Sequence, residues 1–121
     1  MQVVMKSVQD FGTHTDESEE KDECVISRIG ESLLITFQNG NIQLEGKKIT
    51  YIRENNMMEI EEGKMTEFEY ETEEGVFTLN IAADSVECFD VEEGIVAKTK
   101  YKVLVPGCEP YTNELEIALE K

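Results

Sequence analysis

From Met65 to Ala82 the chain alternates side chains of opposite character with a period of two, interrupted at Glu73-Glu74-Gly75. That period commits a segment to extended strand, because successive side chains leave a strand on opposite faces. Thr66, Phe68 and Tyr70 alternate with Glu67, Glu69 and Glu71; after the turn, Phe77, Leu79 and Ile81 alternate with Val76, Thr78 and Asn80. A hairpin that sets Phe68 opposite Leu79 and Tyr70 opposite Phe77 gathers the rings on one face and leaves the glutamates on the other.

The same period recurs along most of the chain. Strands are expected over Gln2–Asp10, Cys24–Ile29, Ser32–Gln38, Ile42–Leu44 and Lys48–Glu54, parted by turn residues at Gly30-Glu31, Asn39-Gly40-Asn41, Glu45-Gly46-Lys47 and Asn55-Asn56. Glu62-Gly63-Lys64 reads as a three-residue hairpin loop that places Ile60 beside Thr66 and Met58 beside Phe68. Val86–Val91 is a further expected strand. In the last hairpin Thr99, Tyr101, Val103 and Val105 face away from Lys98, Lys100 and Lys102, and Leu115, Ile117 and Leu119 alternate with Glu114, Glu116 and Glu120. Lysines can then stand opposite glutamates on the wet face. Asp16–Glu23 carries six acids in eight residues and is expected to be a mobile loop, too charged to pack.

No segment has convincing helical spacing. The expected fold is therefore all-β: an antiparallel meander of about eight to nine strands, closing into a barrel that removes exposed sheet edges. With 121 residues, two prolines and no Gly/Ser-rich stretch, residues 1–121 form one domain around one core.

Charge limits the partners. Twenty-seven acidic residues against eleven basic give a formal net charge of −16, and the run Met65–Ala97 holds ten Asp/Glu and no Lys or Arg. Such a surface repels phosphate backbones and anionic headgroups, so neither nucleic acid nor membrane is an expected partner. The acidic run itself reads as a solvated face. No fully apolar run exceeds three residues, and MQVVMKSVQD lacks the basic and apolar regions of a signal peptide. Cys24, Cys88 and Cys108 are odd in number and far apart, so buried free thiols are expected rather than a disulfide framework or a zinc site. Together these features point to the cytoplasm.

From Lys48 onward the chain resembles the YwiB-like family of small bacterial proteins. The resemblance rests on Ile49-Thr50-Tyr51-Ile52-Arg53, on Met58-Glu59-Ile60-Glu61-Glu62-Gly63-Lys64, on Tyr70-Glu71-Thr72 with Gly75, on Tyr101, and on Asn113-Glu114-Leu115-Glu116-Ile117. It implies a calycin-type, lipocalin-like barrel and no established activity. The chain departs from the family pattern at Asn55, where a glycine is usual, and at Glu73-Glu74, where Thr-Pro is usual.

No constellation names a reaction. His14 is the single histidine and has no partner at ligand spacing, so no metal is expected. Carboxylates near Cys24 would raise its thiol pKa, the wrong direction for a nucleophile. No motif selects a carboxylate pair, and Asp16–Glu23 lacks the glycine and acid spacing of an EF-hand loop. No catalytic residue, cofactor or enzyme activity is expected. Arg53 is the one cation in its strand; it shares a face with Ile49 and Tyr51, and either that face or the Thr50/Ile52/Glu54 face turns inward. If Arg53 is internal, it needs a carboxylate from the protein or from a ligand. The expected ligand-binding residues are Arg53, Tyr51, Met58, Phe68, Tyr70, Phe77 and Tyr101. Two readings follow: a barrel that holds a small amphipathic molecule, or a non-catalytic interaction domain acting as a homodimer.

Overall fold

The computed structural model describes residues 1–54, 56–89 and 94–120, with the backbone alone at Tyr70 and Thr72. Ten antiparallel strands follow one another: β1 (Gln2–Asp10), β2 (Thr15–Ile29), β3 (Ser32–Phe37), β4 (Gly40–Glu45), β5 (Lys48–Arg53), β6 (Asn56–Glu61), β7 (Met65–Thr72), β8 (Gly75–Cys88), β9 (Ile95–Leu104) and β10 (Tyr111–Glu120). Their order in the sheet is β6-β5-β4-β3-β2-β1-β10-β9-β8-β7. The meander thus bends round until β6 and β7 meet, and the barrel is nearly closed.

Among the described residues ten strands replace the eight to nine expected, and two segments are laid out differently from the expectation. Asp16–Glu23 is not a loop: it pairs residue by residue with β1, from Glu23 opposite Gln2 to Asp16 opposite Gln9. A strand needs only a backbone partner, and these acids stay in water at a sheet margin, so no apolar period marks the segment. Beyond them, Cys24–Ile29 of the same strand pairs with β3 instead. One fifteen-residue strand therefore belongs to two halves of the barrel. Val86 and its neighbours are likewise the continuation of β8, past a bulge between Ala83 and Ser85. Residues 90–91 of that expected strand lie outside the described residues.

Elsewhere the registers follow the side-chain period. Phe68 faces Leu79 and Tyr70 faces Phe77 along the β7–β8 ladder. Glu116 faces Lys98 and Glu114 faces Lys100 along β9–β10. Among the described residues no ladder joins β6 to β7, although Thr66 still lies beside β6. Instead the β6–β7 turn crosses to β8: Gly63 N–H donates to the Ala83 carbonyl at 3.1 Å, and Ala83 N–H donates to the Lys64 carbonyl at 3.3 Å. Gly63 permits this with φ 78°, a conformation that costs a glycine little. The Glu62 carboxylate accepts the Val86 N–H at 3.1 Å, and the Thr66 hydroxyl donates to the Glu59 carbonyl. The Val86 hydrogen bond, assisted by Lys47, holds the Glu62 carboxyl below its usual range. The seam between β6 and β7 is thus closed by side chains and a turn in place of a ladder.

Inside, Ile35, Ile42, Ile49 and Ile60 from one half meet Val3, Ile81, Val86, Ala97 and Ile117 from the other, each no more than 2% exposed. Side chains with no surface open to a water-sized sphere leave no water-sized void among them. This part of the barrel is filled, as ordinary protein interiors are.

Candidate functional site: the barrel mouth

Along β5 the inward side chains open progressively. Ile49 is fully buried, Tyr51 is half-buried, and the Arg53 side chain is 40% exposed. Burial of Ile49 fixes the parity of the strand, so Arg53 shares the inward face and sits at its rim. Tyr51 stands opposite Met58, and Arg53 opposite Asn56, where the β5–β6 turn lies. Glu54 in that turn has φ 53°, rare for a residue with a side chain.

Arg53 crosses the mouth to β2. Its Nη1 donates to Glu20 Oε2 at 2.9 Å and its Nη2 to Glu20 Oε1 at 2.7 Å, a bidentate pair, with the Tyr51 hydroxyl 3.5 Å from Nη1. The carboxylate that Arg53 requires comes from Asp16–Glu23, the segment whose sequence resembles a loop. Both side chains are 40% exposed, so solvent screening leaves the pair worth only about 1 kcal/mol. The Glu20 hydrogen bond and then the nearby Tyr51 phenol raise the Arg53 pKa above its ordinary value. Burial raises that of Tyr51, against the opposing pull of Arg53. On β6 opposite Arg53, Asn56 Oδ1 is buried and has no hydrogen-bond partner among the described residues.

A second polar chain lies on the β1, β10 and β9 side. The Ser7 hydroxyl donates to Asn113 Oδ1 at 2.8 Å, and Asn113 Nδ2 donates to the Tyr101 hydroxyl. Asn113 and Tyr101 are 6% and 4% exposed. Burial, less the help of Asn113 and reinforced by the Tyr111 and Tyr51 phenols, pushes the Tyr101 pKa up to about 12. Because the unfolded phenol titrates near 10, the stability linked to Tyr101 is complete below pH 10 and lost as pH climbs toward 12. Two pH units amount to roughly 2–3 kcal/mol. Urea midpoints across pH 9–12 should show a loss in the wild type that Tyr101→Phe reduces by about that amount; equal slopes would contradict it.

The expected site residues are brought to this end in part. Tyr51, Met58 and Phe68 pack half-buried against the core, and Tyr101 lies just inside it. Phe77 stands 49% exposed on the β7–β8 hairpin, which runs past the last partner of β8 on β9, Leu104 opposite Asn80. The Tyr70 side chain lies outside the described residues. Sequence reading missed Glu20, Asn56, Ser7 and Asn113. The Ser7/Asn113 pair had a usable signal, a polar residue at an inward position of each of two adjoining strands.

Other expected features sit elsewhere. His14 stacks on Phe11 (centroids 4.9 Å), which in turn packs on Tyr111. Among the described residues no cluster of three or more His, Cys, Asp or Glu could hold a metal ion. The cysteines are free but not buried as expected: Cys88, at the end of β8, and Cys108, in the β9–β10 loop, are exposed, and Cys24, within β2, is half-buried. Burial raises the thiols of Cys24 and Cys88. No helix among the described residues is long and apolar enough to cross a membrane. A groove of about 660 Å3 lies on the outer face of β1, β2, β8, β9 and β10, walled by Lys6, Glu17, Glu19, Glu87, Lys98 and Glu116 among others, and includes none of the expected site residues.

Fold and mouth together define a small, nearly closed ten-stranded β-barrel with an aliphatic interior and a polar, aromatic rim. The family model "Domain of unknown function (DUF1934)" matches residues 3–117, and the chain belongs to that family. Among solved structures it is similar to the ywiB protein from Bacillus subtilis, with a TM-score of 0.73 and 10% identity over 99% of this chain and 91% of that one. At that identity the likeness concerns the fold. No curated protein matches the chain.

Proposed function

We propose that this protein is a non-catalytic binding module that takes a small amphipathic molecule at the barrel mouth, in the manner of lipocalin-type barrels. The polar end of the ligand replaces Glu20 on the Arg53 guanidinium, and the apolar body lies against Tyr51, Met58 and Phe68. The observation that carries this reading is the Arg53–Glu20 pair, half-open to water at the rim of a filled aliphatic core. A partly hydrated guanidinium can exchange one carboxylate for another at little cost, because the pair it leaves is weak. Free thiols, two of them exposed, suit a reducing compartment such as the cytoplasm.

Decanoate and decanol are suitable probes, followed by thermal shift and by native mass spectrometry of the whole chain. Decanoate is expected to bind with one equivalent and decanol much more weakly. Glu20→Gln, which frees the guanidinium, should bind decanoate about tenfold tighter, a gain of about 1.4 kcal/mol, and Arg53→Gln should lose it. Equal binding of acid and alcohol, or no response to either substitution, would sink the reading. A ligand-free dimer in the same spectra would favour a homodimeric interaction domain instead.

A further inference from the structure

The first nine residues of β2, Thr15–Glu23, are paired on one side only. β1 covers that side in unbroken register. On the other, β3 ends at Phe37 opposite Cys24, and among the described residues no backbone group outside the β1 ladder bonds to Thr15–Glu23. The result is an open strand edge roughly 30 Å long at about 3.4 Å per residue. Edges of this kind template the addition of another strand unless something blocks them.

The charge along the edge selects what can add. Three of its six acids are answered within the molecule: Glu20 by Arg53, Glu19 by Lys21, and Glu23 by the N-terminal amine. Asp16, Glu17 and Asp22 stand opposite Gln9, Val8 and Val3 on β1 and have no ion pair within 4 Å among the described residues. A second copy of the same edge would set acids against acids. The chain's own lysine-bearing strand, β9, is already paired on both sides by β8 and β10.

We infer that Thr15–Glu23 is a strand-addition site for an extended, basic peptide segment of another protein. Backbone hydrogen bonds supply the attachment and side-chain charge supplies the selection. In the antiparallel sense, a nine-residue segment places its second, seventh and eighth residues opposite Asp22, Glu17 and Asp16, and those are the positions that should be Lys or Arg.

The test uses the full chain and fluorescein-labelled nine-residue peptides of Thr and Val with lysine at those three positions, or with glutamate there. The lysine peptide is expected to bind saturably, more weakly as salt rises, and to slow hydrogen exchange at Thr15–Glu23. The triple variant Asp16→Lys, Glu17→Lys, Asp22→Lys should lose the lysine peptide at least tenfold and gain the glutamate peptide. The single change Glu17→Lys, at an exposed position, gives the same direction if the triple variant is poorly folded. Three outcomes would overturn the inference: no binding, binding that leaves exchange at Thr15–Glu23 unchanged, or protection that appears with protein concentration alone, which would assign the edge to a second copy.

Discussion

Ile49→Ala is expected to destabilise the barrel by about 2–5 kcal/mol, the range for truncating a fully buried isoleucine. Ile49 has no exposed surface and stands between Leu44 on β4 and Ile60 on β6, both buried. The barrel wall is tied by ladders on both sides of β5, so the site cannot collapse to fill the space, and the cost should fall in the upper half of that range. Val25→Ala is the matching control: Val25 is 69% exposed on the outer face of β2 and should change stability by less than about 0.5 kcal/mol. Urea midpoints at constant m-value measure both. Similar losses for the two would mean that the interior is not the close-packed core described above.

Gly40→Ala should cost about 3 kcal/mol, the top of the usual range for overpacking. Gly40 opens β4 opposite Arg53, and a methyl there would be driven into the Ile52 carbonyl oxygen, with Arg53 Cα 3.0 Å away. Both obstacles are backbone, so no side chain can swing aside. Gly46→Ala separates bulk from dihedral strain: Gly46 has φ 59° but nothing within 4 Å of a Cβ. It should lose only the left-handed penalty of roughly 1–2 kcal/mol. Because Gly40→Ala displaces the end of β5, it should also weaken decanoate binding, whereas Gly46→Ala should not. A Gly40→Ala protein as stable as the wild type would contradict this close approach.

Much of the fold was legible because it is encoded in neighbouring residues. A period of two with turn residues at short intervals is a local signal, and it located the β7–β8 hairpin with its register and the β9–β10 hairpin with lysines opposite glutamates. What escaped depends on distant partners. Asp16–Glu23 has no apolar face, so only its ladder with β1 makes it a strand. The bulge that merges Val86 into β8, and the turn that carries Gly63 to Ala83, answer to the closure of the barrel rather than to the local pattern. The site divides in the same way. Met58, Phe68 and Tyr101 were readable as inward residues of regular strands, while the parity shared by Tyr51 and Arg53 was not, because both faces of Lys48–Glu54 mix polar and apolar residues. Its partner Glu20 lies 33 residues away in a segment that carries only charge.

The β1–β10 ladder has a kinetic consequence. Every other ladder joins strands that are consecutive in the chain, so each can form soon after its turn does. β1 and β10 must find each other across almost the whole sequence, and closing a loop of 106 residues, the separation of Ser7 and Asn113, costs roughly 4 kcal/mol of chain entropy. That closure is the natural rate-limiting event, with both arms of the meander already zipped. The Ser7–Asn113–Tyr101 chain spans this last ladder. That polar chain is therefore assembled at the end of folding, and a chain caught before that step would hold most of its hairpins while lacking the Ser7–Asn113 tie between the two arms.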